Sequence, residues 1–246
     1  MKRHFLFLLL APFAAQAAPL DHFENSLRHD LDDRCVGYGY AIYRDGNYVR
    51  GGGGGLRKKG DPNNQFDPGL PFNENTVKDC HSMSKTITSA ALLKALGDAG
   101  VGLDAKMWLY LPEIMQDAIP DDDIKEITFR HLLEHRSGFG TSGSFSWEEF
   151  KEQLEDGLEH PVDSKYEYCN WGYALCRLLI PYVLDLDYYR DFEDAAPLQN
   201  EEFFLPSMVA NGYFEFVNSE VFTPAGLPTL HPRPVNSTIG NFGWYY

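Results

Sequence analysis

A serine and a lysine stand three residues apart in DCHSMSKTITSAALLKAL, residues 79–96, near the start of a predicted helix. Positions i and i+3 share a helix face, so Lys85 can reach the hydroxyl group of Ser82. Ser84 lies about 200° around the helix from Ser82 and cannot share that face. A serine hydroxyl needs a base to become a nucleophile. The stretch therefore favours Ser82 as a nucleophile activated by Lys85; the alternative is a helix start with an ordinary surface lysine.

A second candidate segment is YCN, residues 168–170, which directly precedes an apolar helical pattern. A tyrosine phenol relays a proton when a nearby ammonium group lowers its pKa, which suits Tyr168. The amide of Asn170 can hold both the lysine and a substrate amide through hydrogen bonds. Together with the serine and the lysine, these groups suffice for acyl transfer. In the structural alternative, Tyr168 is a core aromatic residue and Asn170 is the N-cap of the next helix.

Large and small side chains alternate in VGYGYAIY, residues 36–43, as is typical of a β-strand. The turn signal RDGN at 44–47 and a return strand beginning at Tyr48 predict a β-hairpin. The small face of the first strand would allow a helix to pack closely. Five glycines follow at 51–55 without the G-x-x-x-x-G-K-[ST] pattern of a phosphate loop. They predict a flexible or bulged strand end.

Helical patterns dominate the rest of the chain. A two-stranded ribbon is marginal in water and leaves both edges open. The sequence therefore predicts an α/β (α+β) fold in which further strands lie in the tail, 224–246, or in which the sheet is incomplete. Thr128 is the expected N-cap of its helix, and Pro181 is expected to end another. The predicted helices cover residues 82–96, 127–135 and 146–158, with one more within 207–220, and the stretch 166–180 is expected to change from a loop to an apolar helix.

The N-terminus has the pattern of a secretory signal peptide. Lys2 and Arg3 precede an apolar run at 5–15, and an A-x-A pattern places the cut after Ala17. The run is short for a membrane span, although a membrane anchor is the alternative. We therefore expect a signal peptide at 1–17, a mature chain at 18–246, no stable membrane span after cleavage, and a secreted or periplasmic protein.

The formal net charge of −15 argues against nucleic-acid binding, because the phosphate backbone would be repelled. Export would permit disulfides, and four cysteines allow three full pairings. If 170–180 is helical, Cys169 and Cys176 are about 10 Å apart along the axis, which is too far for a bridge. Buried free thiols are the alternative. The cysteines are Cys35, Cys80, Cys169 and Cys176.

The stretch HLLEH, residues 131–135, spells the inverted zinc-peptidase pattern H-x-x-E-H. His131 and His135 at i and i+4 are placed to share a metal ion. No third ligand is evident and five residues match easily by chance, so we expect no metal. No organic cofactor is implied either.

Taken together, the motifs resemble the serine beta-lactamase and penicillin-binding-protein family, in its branch of class C beta-lactamases, D-alanyl-D-alanine carboxypeptidases and esterases. The similarity runs over 36–227, and the order and spacing of its parts agree. The stretches that carry it are HSMSKTITSAALLKAL, GLDAKMWLYLPE, ITFRHLLEHRSGFG, YEYCNWGYAL and the opening hairpin VGYGYAIYRDGNYV.

The resemblance implies that Ser82 is the acylated nucleophile, that Lys85 and Tyr168 share proton transfer, and that Asn170 positions the substrate. It implies an antiparallel sheet flanked by helices, beside a helical region, within one domain at 18–246. The implied substrate is a beta-lactam, a D-alanyl peptide or an ester, attacked without a cofactor.

The sequence departs from the family at its third motif, which is Lys-Thr-Gly or His-x-Gly. Neither form occurs after Asn170, and LHPR at 230–233 has the histidine but lacks the glycine. We therefore expect a partial domain without the C-terminal third. A catalytically silent relative that binds peptidoglycan or a partner is the alternative. The resemblance also brings Cys80 and Cys169 near each other, either as a bridge or as two free thiols.

Overall fold

A computed structural model describes residues 11–58, 63, 69–76, 81–120, 122–140, 146–195 and 198–229. The chain forms two compact units, Met1–Lys78 and Asp79–Tyr246. Three sequence predictions fall outside the described residues: most of the apolar run before residue 11, Cys80, and the LHPR segment. No helix among the described residues is long and apolar enough to span a membrane.

The first unit contains the predicted hairpin beside one long helix. Asp45 and Gly46 form the turn with φ values of 51° and 76°, the left-handed conformations that a tight hairpin turn requires. Three strands, β1 (Gly37–Arg44), β2 (Asn47–Lys58) and β3 (Leu70–Pro71), pair antiparallel in that order. The long helix is α1 (Ala11–Leu31).

The glycines at 51–55 lie inside β2 and pair with 37–41 of β1, so the prediction of a flexible or bulged strand end is wrong. Register shifts lie on either side of the glycines, between Ile42 and Tyr43 in the β1–β2 pairing and between Leu56 and Lys58 in the β2–β3 pairing. Glycine is required because other backbone comes very close. A Cβ on Gly53 would lie 2.5 Å from the Tyr38 carbonyl oxygen and 2.7 Å from Asn73 Cα.

The helix of this unit contacts the tyrosine face of β1. The sequence pattern instead suggests that a helix packs on the small face. The Tyr38 hydroxyl donates to Asp32 at 2.7 Å, and the Tyr40 hydroxyl donates to Glu24. On the small face, a Cβ on Gly39 would lie 2.6 Å from the carbonyl oxygen of Asn73. Within the described part of this unit, the backbone at Asn73 therefore covers the small face at Gly39.

The second unit is helical. Its apolar helix α6 (Asn170–Leu184) packs against four others: α2 (Ser84–Ala99), α4 (Phe129–Leu133), α7 (Leu186–Ala195) and α8 (Leu198–Val217). Trp171, Leu175 and Leu179 of α6 are buried almost completely, so this helix lies in the core. Short 3₁₀ turns at His81–Met83, Met107–Tyr110 and Ile124–Glu126 and a π turn at Asn218–Phe222 link the α-helices. Two further α-helices are α3 (Glu113–Gln116) and α5 (Trp147–Asp156).

The five predicted helices are confirmed as α2, α4, α5, α6 and α8, and Thr128 is the N-cap of α4, accepting the His131 N–H. The expected end near Pro181 is wrong, because α6 continues to Leu184. Tyr182 and Val183 beyond the proline are buried, and that packing outweighs the lost backbone hydrogen bond. Helix α7 was not predicted. The described residues contain no further strand that would enlarge the sheet.

Candidate active site

Ser82 lies in the 3₁₀ turn that precedes α2, and Lys85 lies in the first turn of α2. Residues i and i+3 eclipse each other in a 3₁₀ turn, which brings these side chains together. The Lys85 Nζ atom lies 3.4 Å from Ser82 Oγ. Ser84 Oγ instead donates to the carbonyl oxygen of His81 at 2.7 Å. Of the two serines, Ser82 is therefore the one available for chemistry.

Tyr168 and Asn170 flank the start of α6. Cys169 is the N-cap, its Sγ accepting the Gly172 N–H at 3.4 Å, so the alternative role of Asn170 as N-cap is wrong. The Asn170 Oδ1 atom accepts from Lys85 Nζ at 2.6 Å. Tyr168 is 40% exposed, which contradicts the alternative of a core aromatic residue. Both side chains thus face outward beside the lysine.

Ser82 and Tyr168 share a hydrogen bond of 2.6 Å between their oxygens, and either oxygen can donate. The Lys85 ammonium lies 4.9 Å from the centroid of the Tyr168 ring, within cation–π range. With the bond to Asn170, the structure brings all four candidate side chains into one network. Because the network is open to solvent on the serine side, a substrate carbonyl can approach Ser82 Oγ.

The electrostatics of the site act on Tyr168. Burial alone would raise the pKa of its phenol, but hydrogen bonding with Lys85 and Ser82 and the Lys85 charge together lower that pKa below its usual value. A lowered pKa increases the fraction of the phenol that is ionised near neutral pH, so more of it is present as a base that can accept a proton. The site therefore combines the Ser82 hydroxyl, the Tyr168 phenol with its lowered pKa, and the Lys85 ammonium group.

Sequence reasoning missed the role of two rings that contact this network. His135 lies 4.6 Å from the Tyr168 ring and 5.0 Å from the Tyr173 ring, measured between centroids. The Tyr173 hydroxyl donates to the Leu133 carbonyl oxygen at 2.9 Å and accepts from Ser89 Oγ at 3.3 Å. The H-x-x-E-H pattern had singled out His135, although for zinc.

The two histidines of that pattern hold backbone amides. His131 Nδ1 accepts the Thr128 N–H at 3.3 Å, and His135 Nδ1 accepts the Cys169 N–H at 3.0 Å. Among the described residues, the metal-type side chains close enough to share an ion lie elsewhere, and exposed acidic groups often cluster without one. These side chains are Glu159, His160 and Glu167.

The described cysteines are unpaired thiols, so the bridge between Cys169 and Cys80 is wrong. The Cys169 thiol is buried and donates to the Gly140 carbonyl oxygen at 3.1 Å. Burial raises the pKa of the Cys176 thiol to about 12, which makes that thiol unreactive. Cys35 is exposed and free.

A family model, a curated relative and solved structures all match this chain. The beta-lactamase family model matches residues 23–196. The chain is 30% identical over 128 residues to the esterase EstB of Burkholderia gladioli, an alignment that covers 52% of this chain and 30% of the esterase. The chain therefore spans less than a third of that relative's length.

Two solved structures share the fold. A D-amino acid amidase of Ochrobactrum anthropi SV3 superposes with a TM-score of 0.55 at 19% identity, covering 83% of this chain and 52% of the amidase. An octameric penicillin-binding protein homologue of Pyrococcus abyssi gives 0.54 at 20% identity, covering 85% of this chain and 43% of that protein. With a family match over most of its length and the matching fold, the chain belongs to the beta-lactamase family.

Proposed function

We propose that this chain is a serine hydrolase that forms an acyl-serine intermediate on Ser82. The observation that carries the proposal is the 2.6 Å hydrogen bond between Ser82 Oγ and the Tyr168 phenol, beside the Lys85 ammonium. A hydroxyl held against a phenol of lowered pKa can lose its proton as it attacks a carbonyl carbon.

The proposed reaction has two stages. In the first, the Tyr168 phenolate, which the lysine charge stabilises, takes the proton of Ser82 while Ser82 Oγ bonds to the carbonyl carbon. The tetrahedral intermediate then collapses: the bond to the leaving group breaks, that group takes the proton from Tyr168, and the phenolate is restored. In the second stage, water gives a proton to the phenolate as its oxygen bonds to the acyl carbon, the bond to Ser82 Oγ breaks, and Ser82 Oγ takes that proton back as the acid is released. Orphan amides at the start of α2 favour the negative charge that develops nearby.

The proposed substrate is a beta-lactam, a D-alanyl peptide or an ester, because each presents a carbonyl carbon with a leaving group. The similarity to an esterase, a D-amino acid amidase and a penicillin-binding protein homologue supports this range. Asn170 would orient a substrate amide, since its Oδ1 bond to Lys85 leaves the amide NH₂ group as a donor.

A second candidate function is ligand binding without turnover. The exposed polar groups of Ser82, Tyr168 and Asn170 could also hold a ligand through hydrogen bonds without reacting with it. Such a protein would bind a peptidoglycan fragment or a partner near the serine and release it unchanged. Covalent labelling distinguishes the two functions, because only the hydrolase forms an adduct.

The test is intact mass spectrometry of the chain after incubation with a fluorescent penicillin and, separately, with a fluorophosphonate. We expect a single adduct that is absent from Ser82→Ala. Ser84→Ala is the matched control, because that hydroxyl donates to the His81 carbonyl oxygen and should not affect labelling. A folded wild-type chain that gains no mass from either reagent would refute the hydrolase and leave the binding protein.

We also propose that the protein is exported and cleaved after Ala17. The described hydrogen bonds that join this segment to the hairpin involve Asp21 and later residues, so cleavage would preserve them. When the protein is expressed in a bacterial host with its own N-terminus, the secreted or periplasmic form should have the mass of a chain that begins at Ala18. An uncleaved chain in the cytosol would contradict export.

A further inference from the structure

His135 contacts the segment that carries Tyr168 through both its backbone and its ring. Its carbonyl oxygen accepts the Glu167 N–H at 2.9 Å, and its Nδ1 atom accepts the Cys169 N–H at 3.0 Å. These two amides belong to the residues immediately before and after Tyr168. One side chain and its own carbonyl therefore fix the backbone on both sides of the phenol-bearing residue.

The imidazole ring also packs on the phenol itself. Its centroid lies 4.6 Å from that of the Tyr168 ring, and the two planes are tilted by 35°. Tyr173, whose hydroxyl is tied to the Leu133 carbonyl oxygen, lies 5.0 Å from the same imidazole. A ring between two aromatic neighbours has little freedom to turn, so its Nδ1 atom stays directed at the Cys169 amide.

The backbone of His135 is arranged for these contacts. Its φ of 56° lies in the left-handed region, where histidine and asparagine are enriched among residues other than glycine. The conformation ends α4, and the Arg136 N–H bonds to the His131 carbonyl oxygen at 2.8 Å. The capping box of Thr128 and His131 fixes the start of the same short helix. His135 thus lies just beyond the end of a short helix whose start and end are both fixed by hydrogen bonds.

We propose that His135 is a positioning residue for Tyr168, holding the amides of Glu167 and Cys169 so that the phenol stays against the hydroxyl group of Ser82. The inference rests on the proposed acyl transfer at Ser82. His135 itself touches no reacting atom, and it acts through the phenol.

The protonation state of His135 bears on this role, because only an unprotonated Nδ1 can accept an amide N–H. Burial first, and then the Lys85 charge, lower the pKa of His135 from its ordinary 6.5, so the acceptor is intact at neutral pH. In acid, protonation sets a donor against the Cys169 amide, and the contact should open. The titratable groups that face the imidazole are Lys85 from α2, Tyr173 from α6, and Tyr166, Tyr168 and Cys169 from the preceding segment.

Two substitutions test the role. His135→Ala removes the acceptor, and His135→Asn places an acceptor oxygen near the position of Nδ1 and tolerates the left-handed backbone. We expect His135→Ala to slow labelling of Ser82 by about 10- to 100-fold, the usual cost of a misplaced reacting group. We expect His135→Asn to restore most of the rate. Both proteins should lose labelling as Tyr168 is protonated, but His135→Asn should lack the additional decline that protonation of His135 causes in the wild type below pH 6.5, because asparagine does not titrate.

A second readout does not depend on activity. The Tyr168 phenol can be titrated by the ultraviolet difference between each protein and its Tyr168→Phe derivative. We expect the pKa of Tyr168 to return towards its ordinary 10.0 in His135→Ala and to stay lowered in His135→Asn. If the wild type is never acylated, the proposed hydrolase fails, and this titration still decides the role of His135.

The inference would be overturned by a folded His135→Ala protein with unchanged labelling and unchanged Tyr168 titration. Circular dichroism melting establishes the folding of each variant. Should His135→Ala not fold, His135→Asn decides: if its labelling shows the same additional decline below pH 6.5 as the wild type, His135 does not control the phenol.

Discussion

Replacing Glu193 is expected to lower the free energy of unfolding, because its carboxylate is almost buried and has three hydrogen-bond partners. It accepts from the Tyr182 hydroxyl, from the Glu113 N–H at 2.9 Å and from Arg190 Nη1 at 2.8 Å. The residue is 5% exposed. A single side chain therefore joins α7, α6 and the start of α3.

The substitution Glu193→Gln keeps the size of the side chain and removes its charge. One carbonyl oxygen can still accept from the Tyr182 hydroxyl, but the new NH₂ group faces donors on Arg190 and Glu113. Breaking a fully buried ion pair costs about 3–5 kcal/mol. The Arg190 side chain is 20% exposed and can recover some hydration, so we expect a loss of about 2–4 kcal/mol in the free energy of unfolding.

Urea unfolding followed by circular dichroism measures this loss. The matched control is Asp194→Asn, which removes the same charge from an exposed position on α7 and should change stability by less than about 0.5 kcal/mol. If Glu193→Gln unfolds within that same margin of the wild type, with an unchanged slope, the three contacts do not act as a stabilising network and the reasoning fails.

Three further predictions use the same structure. Tyr168→Phe should slow acylation by about 100-fold or more with little change in melting temperature, since the hydroxyl acts in proton transfer and the ring is partly exposed; equal labelling rates would contradict this. Because the pKa of Tyr168 is lowered, more phenolate is present at each pH, so labelling of Ser82 should rise with pH to a midpoint below 10.0, and a midpoint above that value would count against it. Gly100→Ala should cost about 1 kcal/mol in the free energy of unfolding measured in urea, because its φ is 67°. Lys94→Ala should leave the urea midpoint almost unchanged, because its ion pair with Asp98 is exposed.

Local features of the fold could be predicted because their causes are local. The hairpin follows from side-chain alternation and from the turn at Asp45 and Gly46. The N-cap at Thr128 and the proximity of Ser82 to Lys85 follow from spacing within one turn.

Long-range contacts could not be predicted from spacing. Lys85 and Asn170 are 85 residues apart in sequence, and they meet because α6 packs on α2; only the family resemblance anticipated their meeting. Helix α7 has a charged sequence, and its buried Glu193 gains a partner 80 residues away at Glu113. The helix that continues beyond Pro181 likewise depends on burial, which no local pattern encodes.

The glycines at 51–55 have a consequence for the evolution of the hairpin. Every other amino acid adds at least one carbon atom, and at Gly51, Gly52 and Gly54 that atom would lie within 3.0 Å of a tyrosine side chain. At Gly53 and Gly55 it would lie 2.5 Å or less from a backbone oxygen. At Gly51, Gly52 and Gly54 the tyrosine side chain would have to move, whereas at Gly53 and Gly55 the backbone leaves no room, so mutagenic libraries of this protein should lose diversity first at Gly53 and Gly55.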